Sequence, residues 1–169
     1  MSAEDAAPPD RPTAEVTMTV NGEPVTRTVE PRHKLSDVLR DELDLRSVRV
    51  GCEHGVCGAC TVTLDGRTVK SCLLYAVQAD GAEVETAEGL VGEDGTLHPV
   101  QQAFHEEHAL QCGFCTSGFV MATRALLEDD PDPDREAIQR GLADNLCRCT
   151  GYRNIYRAVE RAADELGAD

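Results

Sequence analysis

Between residues 15 and 20 apolar and polar side chains alternate, with Val16, Met18 and Val20 on one face. That two-residue period predicts a half-buried strand. Asn21 and Gly22 follow, a pair suited to a type I′ hairpin turn because both central positions need positive φ. Residues 25–29 return as a second strand. Leu35, Val38, Leu39 and Leu43 then take the spacing of one helical face, with Ser36 or Asp37 near its start. Strands are predicted again at residues 61–64, at 68–70 after the turn Asp65-Gly66, and at 83–86. Beyond residue 97 the period becomes helical throughout. Pro99 suits a first helical turn, and Val100, Ala103 and Phe104 share a face. Phe119, Ala122 and Leu126 mark a second helix. Ile138 and Leu142 mark a third, opened near Asp134. Ile155, Val159, Ala162 and Leu166 mark a fourth. The expected architecture is α+β: a small sheet unit over residues 14–86, a Gly- and acid-rich linker at 87–97, and a four-helix bundle over 98–166. Residues 1–13, rich in Pro and acids, are expected to form a disordered tail.

A sheet unit of this size has a thin core and needs a staple. The cysteines supply a candidate. Cys52, Cys57 and Cys60 read C-x4-C-x2-C, and Cys72 follows at a distance. This is the ligand spacing of plant-type [2Fe–2S] clusters. Gly51, Gly55 and Gly58 lie beside the ligands, where backbone must come close and N–H groups can turn toward sulfur. His54 raises the alternative of a Rieske centre, but no second Cys–His pair accompanies it, so it reads as a surface loop residue. The other four cysteines form Cys112-x2-Cys115, between the first two helices, and Cys147-x-Cys149, between the last two. Spacing alone leaves four-cysteine zinc open for this second set. With its own core and its own metal staple, each half is expected to keep its cluster when the other is lost.

The chain has 169 residues and a net charge of −15, which argues against nucleic acid or an anionic membrane as partner. Lys34 and Lys70 are its only lysines. Eight cysteines could pair as disulfides, but the start of the chain shows no basic-then-apolar signal pattern. No apolar run approaches a membrane span. A cytoplasmic metal or redox protein is the expectation.

Taken together, Gln111-Cys112-Gly113-Phe114-Cys115 and Asn145-Leu146-Cys147-Arg148-Cys149-Thr150-Gly151-Tyr152, behind the motif at residues 51–60, resemble the small iron–sulfur subunit of the molybdenum hydroxylases. That family includes xanthine dehydrogenase, aldehyde oxidoreductase and carbon monoxide dehydrogenase. The resemblance covers residues 14–166. It implies a plant-ferredoxin-like β-grasp domain followed by a four-helix bundle, each with one [2Fe–2S] cluster. The implied ligands are Cys52, Cys57, Cys60 and Cys72 for the first, and Cys112, Cys115, Cys147 and Cys149 for the second. It further implies that Gln111 hydrogen-bonds the pterin of a molybdenum cofactor on a large subunit and that Cys149 admits electrons from it. Electrons would pass singly through the two clusters to FAD on a medium subunit, in a heterotrimer or a dimer of heterotrimers. Two positions depart from the family: Ser117 stands where Pro is common, and Asp144 where Gly is common. The competing readings are a stand-alone ferredoxin-type carrier, for which the helical half is superfluous, and a zinc-stabilised interaction module. The chain shows no catalytic triad, Walker loop or dinucleotide fingerprint. The residues that choose a substrate lie elsewhere, so carbon monoxide, an aldehyde, a purine or another N-heterocycle all stay open.

Overall fold

The computed structural model describes residues 11–167; most of the expected tail lies outside them. The first half is a five-stranded mixed sheet in the order β2-β1-β5-β3-β4. Its strands are β1 (Ala14–Val20), β2 (Glu23–Val29), β3 (Thr61–Leu64), β4 (Arg67–Lys70) and β5 (Glu83–Glu85). β1 pairs antiparallel with β2 and parallel with β5, and β3 pairs antiparallel with both β4 and β5. Both tight turns have the backbone that their sequences require: Asn21 and Gly22 at φ +51° and +84°, Asp65 and Gly66 at +48° and +76°.

The helix expected after β2 is shorter and wider than its periodicity implies. A single turn, α1 (Leu35–Asp37), runs into a π-helical turn, Val38–Glu42. Leu35, Val38 and Leu39 are fully buried against the sheet together with Val16, Met18, Val29, Val62 and Val84. The wider turn keeps Leu39 inward and directs Leu43 to the edge of this core, where it is only partly buried.

The second half contains α2 (Pro99–Glu106), α3 (Thr116–Asp129), α4 (Arg135–Gly141) and α5 (Arg153–Leu166). Two of these starts are capped by side chains: His98 accepts from the Val100 N–H at 3.2 Å, and Asp134 from that of Ala137 at 2.7 Å. Phe104, Phe119, Ile138, Leu142, Ile155 and Val159 make the centre of a second core. Two expected contacts move. α3 buries Val120, Met121, Thr123 and Leu127 beside Phe119, while Ala122 and Leu126 sit at the margin. Leu166, at the end of α5, is exposed. Among the described residues, no helix is long and apolar enough to cross a membrane.

Two cores do not make two separable bodies. Residues 87–90, expected within a linker, form a helical turn that binds the first half. The Glu88 carboxylate accepts from the Ser47 N–H at 2.7 Å, from the Ser47 hydroxyl, and from the Thr86 hydroxyl at 2.7 Å. Asn21 in turn accepts the Thr86 N–H at 2.8 Å. Ser47 passes the connection on, its carbonyl accepting from the Ser117 hydroxyl of α3 at 2.5 Å. A Pro at position 117 would lack that donor. Arg124 of α3 also meets Glu85 of β5 at 2.6 Å.

Burial works to raise the Glu88 pKa, but the hydrogen bonds from Ser47 and Thr86 outweigh it and hold the carboxyl below its ordinary 4.5. A depressed native pKa gives stability that is complete above the unfolded value and is lost as pH falls through the native one. Glu88→Gln should therefore melt below the wild type near neutrality. The gap should narrow once pH drops below 4.5, as thermal denaturation across pH would show. A gap that stays constant into acid would remove this carboxylate from the junction.

Candidate metal centres

The first cysteine loop lies between the π-helical turn and β3. Its two glycines at positive φ, Gly55 at +77° and Gly58 at +70°, turn the chain around Cys57. Gly51 is not in that region. Its missing side chain serves contact instead, since a Cβ there would lie 3.2 Å from the Phe114 ring and 3.3 Å from the Cys57 sulfur. Ser71 closes the far side, giving its N–H and hydroxyl to the Cys60 carbonyl at 3.3 and 2.8 Å. Cys60 and Cys72 are buried, and Cys52 and Cys57 half-buried.

Within this loop the thiols group by twos. The Cys57 thiol acts on the pKa of Cys52, and the Cys60 thiol on that of Cys72, so each of these pairs is close. In the second set the Cys149 and Cys112 sulfurs lie 3.7 Å apart, and the Cys147 thiol acts on the pKa of Cys115. Two thiolates on one tetrahedral metal with bonds of about 2.3 Å sit about 3.8 Å apart. Two pairs per site fit a core of two metals with two cysteines on each. All-thiolate donation is the chemistry that iron–sulfur clusters take.

Electrostatics separates the thiols. The His54 N–H, pointing at the Cys52 sulfur from 3.5 Å, leads the influences that bring that thiol down to about 6. Burial pushes Cys72 up to about 11 and Cys115 up to about 12. At Cys147 burial raises the pKa, but the Thr150 hydroxyl and N–H, at 3.1 and 3.4 Å from the sulfur, bring it below the ordinary thiol value. A cluster held by Cys72 and Cys115 would have to displace protons from thiols that burial keeps protonated, a cost its metal charge would offset. His54 itself is exposed on the loop, as its solitary position implies.

The second set sits where α2 hands over to α3 and α4 to α5. Cys112 and Cys149 are exposed, Cys115 is half-buried and Cys147 buried. Gln111, exposed beside Cys112, thus stands at the open end of this site together with Cys149. Tyr152, in the left-handed region at φ +67°, folds its ring back against Phe119 and Tyr156. Its hydroxyl then accepts the Cys147 N–H at 2.9 Å.

Comparison with known proteins agrees with this geometry. Residues 18–90 match the family described as 2Fe-2S iron-sulfur cluster binding domain, and residues 86–160 match that described as [2Fe-2S] binding domain. The nicotine 6-hydroxylase small subunit of Paenarthrobacter nicotinovorans is 48% identical over 161 residues, covering 95% of each chain. The chain belongs to the small iron–sulfur subunits of the molybdenum hydroxylases. Caffeine dehydrogenase subunit gamma of Pseudomonas sp. (strain CBB1) is 52% identical over 149 residues, 86% of this chain and 88% of that one. The crystal structure of quinoline 2-oxidoreductase from Pseudomonas putida 86 superposes with a TM-score of 0.87 at 44% identity, over 92% of this chain and 96% of that one. Within this family the present chain is an α+β protein with two [2Fe–2S]-binding domains.

Sequence reading did not single out Asn145, Ser117, Ser47 or Glu88 as parts of the framework. Asn145 lies inside a quoted motif and Ser117 was noted only as a departure from the family, and their partners, Gly58 and Ser47, are distant in the chain. Thr150 was within reach of local reasoning, since a hydroxyl three residues past a ligand can turn back onto its sulfur.

Tyr152→Phe should isolate the Cys147 N–H from its acceptor. The expected cost is about 1 kcal/mol of stability, with the helix content unchanged. Thermal denaturation followed by far-UV circular dichroism checks this, and an unchanged melting temperature would show that water satisfies the group.

Proposed function

We propose that this chain relays electrons one at a time between a molybdenum–pterin cofactor on a large subunit and FAD on a medium subunit. Cys52, Cys57, Cys60 and Cys72 hold one [2Fe–2S] cluster, and Cys112, Cys115, Cys147 and Cys149 the other. Each such cluster, when bound, supplies a one-electron acceptor and donor. The observation that carries the reading is two sets of paired thiols whose loops touch. The Leu146 N–H, next to Cys147, donates to the Cys57 carbonyl at 2.9 Å, so the two ligand sets are one hydrogen bond apart. A stand-alone carrier with a single cluster has no use for this second, joined site. We read the sheet half as a β-grasp and α2–α5 as a four-helix bundle, divided at residues 14–86, 87–97 and 98–166.

Gln111 and Cys149 mark the end that faces the molybdenum cofactor. Both are exposed, and the amide of Gln111 offers a donor and an acceptor together, as a pterin edge requires. Apolar side chains are exposed beside the second set of ligands: Phe114, next to Cys115, is 42% and Leu146, next to Cys147, 59% exposed. Val56, 68% exposed, and Leu73, 49%, play that part beside the first cluster, where the FAD subunit would dock. Patches of this kind mark protein contacts. Assembly as a heterotrimer or a dimer of heterotrimers, in the cytoplasm, follows the same reading. The named substrates of the relatives include nicotine, caffeine and aldehydes, in keeping with a subunit that moves electrons and leaves substrate choice to another chain.

The purified chain should contain about four irons and four sulfides and give two distinct EPR signals after dithionite. One signal, or zinc in place of iron, would end the two-cluster reading. Gln111→Ala should leave both clusters and the fold intact. It should slow substrate reduction of the second cluster in the assembled complex, or loosen the cofactor, with FAD unaffected. Rapid-freeze EPR reads the first effect and molybdenum analysis the second; no change in either would take Gln111 out of the site.

A further inference from the structure

The two cysteine sites are not built alike. The first loop is held by its own sheet. Ser71 binds the Cys60 carbonyl, the Arg49 N–H donates to the Ala59 carbonyl at 3.3 Å, and Thr61 gives both its N–H and its hydroxyl to the Gly58 carbonyl at 3.1 and 2.7 Å. The second site has Tyr152 and Thr150 on one side, but on the other it rests on the first loop.

Three contacts make that support. The Phe114 ring, midway between Cys112 and Cys115, lies on Gly51, with the Arg49 guanidinium 6.0 Å from its centre. The Leu146 N–H donates to the Cys57 carbonyl. The Asn145 side chain, 3% exposed, donates to the Gly58 carbonyl at 3.1 Å. Gly58 is shaped to receive it: a Cβ there would sit 2.5 Å from the Asp144 carbonyl and 2.6 Å from the Asn145 amide. Gly118, in the first turn of α3, completes the seat, since a Cβ on it would collide with the Gly58 carbonyl oxygen. The Asn145 Oδ1 is buried and has no partner. Among the described residues, the donation to the Gly58 carbonyl is the Asn145 side chain's one hydrogen bond.

We propose that the second cluster site is completed by the first loop, which acts as the template on which Asn145, Leu146 and Phe114 seat Cys147, Cys112 and Cys115. Asn145 is a positioning residue in this scheme, acting through the Gly58 carbonyl. The dependence runs one way. An unsettled first loop leaves the Asn145–Leu146 segment without its acceptors, whereas an empty second site leaves the first loop anchored by Ser71 and Thr61. The scheme replaces the independence that two separate cores suggest, and it rests on the ligand assignment made above.

The test compares full-length variants, in the complex in which the chain is isolated, by EPR and iron analysis. Cys52→Ser should lose the first signal and also lower the intensity of the second, because the loop that receives Asn145 and Leu146 is no longer held by its cluster. Cys112→Ser should lose only the second. Asn145→Ala, with every cysteine present, should release iron from the second site to a chelator about tenfold faster, with the first signal and the far-UV dichroism unchanged. Asn145→Asp keeps the shape but lacks the amide donor, and should not restore retention. The proposal falls if Cys52→Ser keeps the second signal at wild-type intensity, if Asn145→Ala releases iron at the wild-type rate, or if Asn145→Asp rescues it. Should Cys52→Ser fail to fold, the two Asn145 variants decide alone. Retention of the second signal in Cys112→Ser would overturn the ligand assignment, and this inference with it, whatever the Cys52 arm shows.

Discussion

One carbonyl oxygen joins the two halves where their cysteine loops meet. Gly58 O accepts from the Thr61 N–H, the Thr61 hydroxyl and the Asn145 amide. The first two bonds belong to the sheet half and the third to the helical half. The arrangement needs a residue at φ +70° with no side chain, and it needs a second glycine, Gly118, to let α3 approach. Satisfying a buried carbonyl this fully costs the protein two positions at which only glycine fits. In return, two structures with separate apolar centres meet at a fixed distance, which a chain of redox centres requires because its cofactors cannot be allowed to drift apart.

Around this contact the rest of the junction is polar and specific. Ser47 sits at its middle, taking the Glu88 carboxylate on its N–H and hydroxyl and the Ser117 hydroxyl on its carbonyl. A junction made of hydrogen bonds in a narrow seam fixes orientation more sharply than an apolar face would, because each bond has its own direction. The acidic surface contributes little to it. The Arg135–Glu160 ion pair ties α4 to α5 at exposed positions where solvent weakens it.

What could be read beforehand divides along physical lines. Local signals were reliable: the two turns Asn21-Gly22 and Asp65-Gly66, the strand at residues 61–64, and the starts of α2 and α4 follow from neighbouring residues alone. The cysteine spacing showed where thiols would gather, since four sulfurs brought to one core leave few other arrangements. The π-helical turn at Val38–Glu42 was not legible, because hydrophobic spacing over so short a span cannot tell a wide turn from an ordinary one. Leu166 carries the right period for burial but lies past the end of the core it would join. Asn145 looked like one letter of a motif. Its task depends on Gly58, far away in the chain, and no pattern near residue 145 points there.

The strand order has a kinetic meaning. β1–β2 and β3–β4 are hairpins closed by two-residue turns, and such units form quickly on their own. β5 is the last strand in the chain yet lies between them, parallel to β1 and antiparallel to β3. Until it is inserted, nothing in the sheet joins the two hairpins, and the long cysteine loop between β1–β2 and β3–β4 has no fixed ends. Pairing across so many residues is slow. During folding there is therefore an interval in which the cysteines of the first loop are present on a chain whose sheet has not yet closed around them.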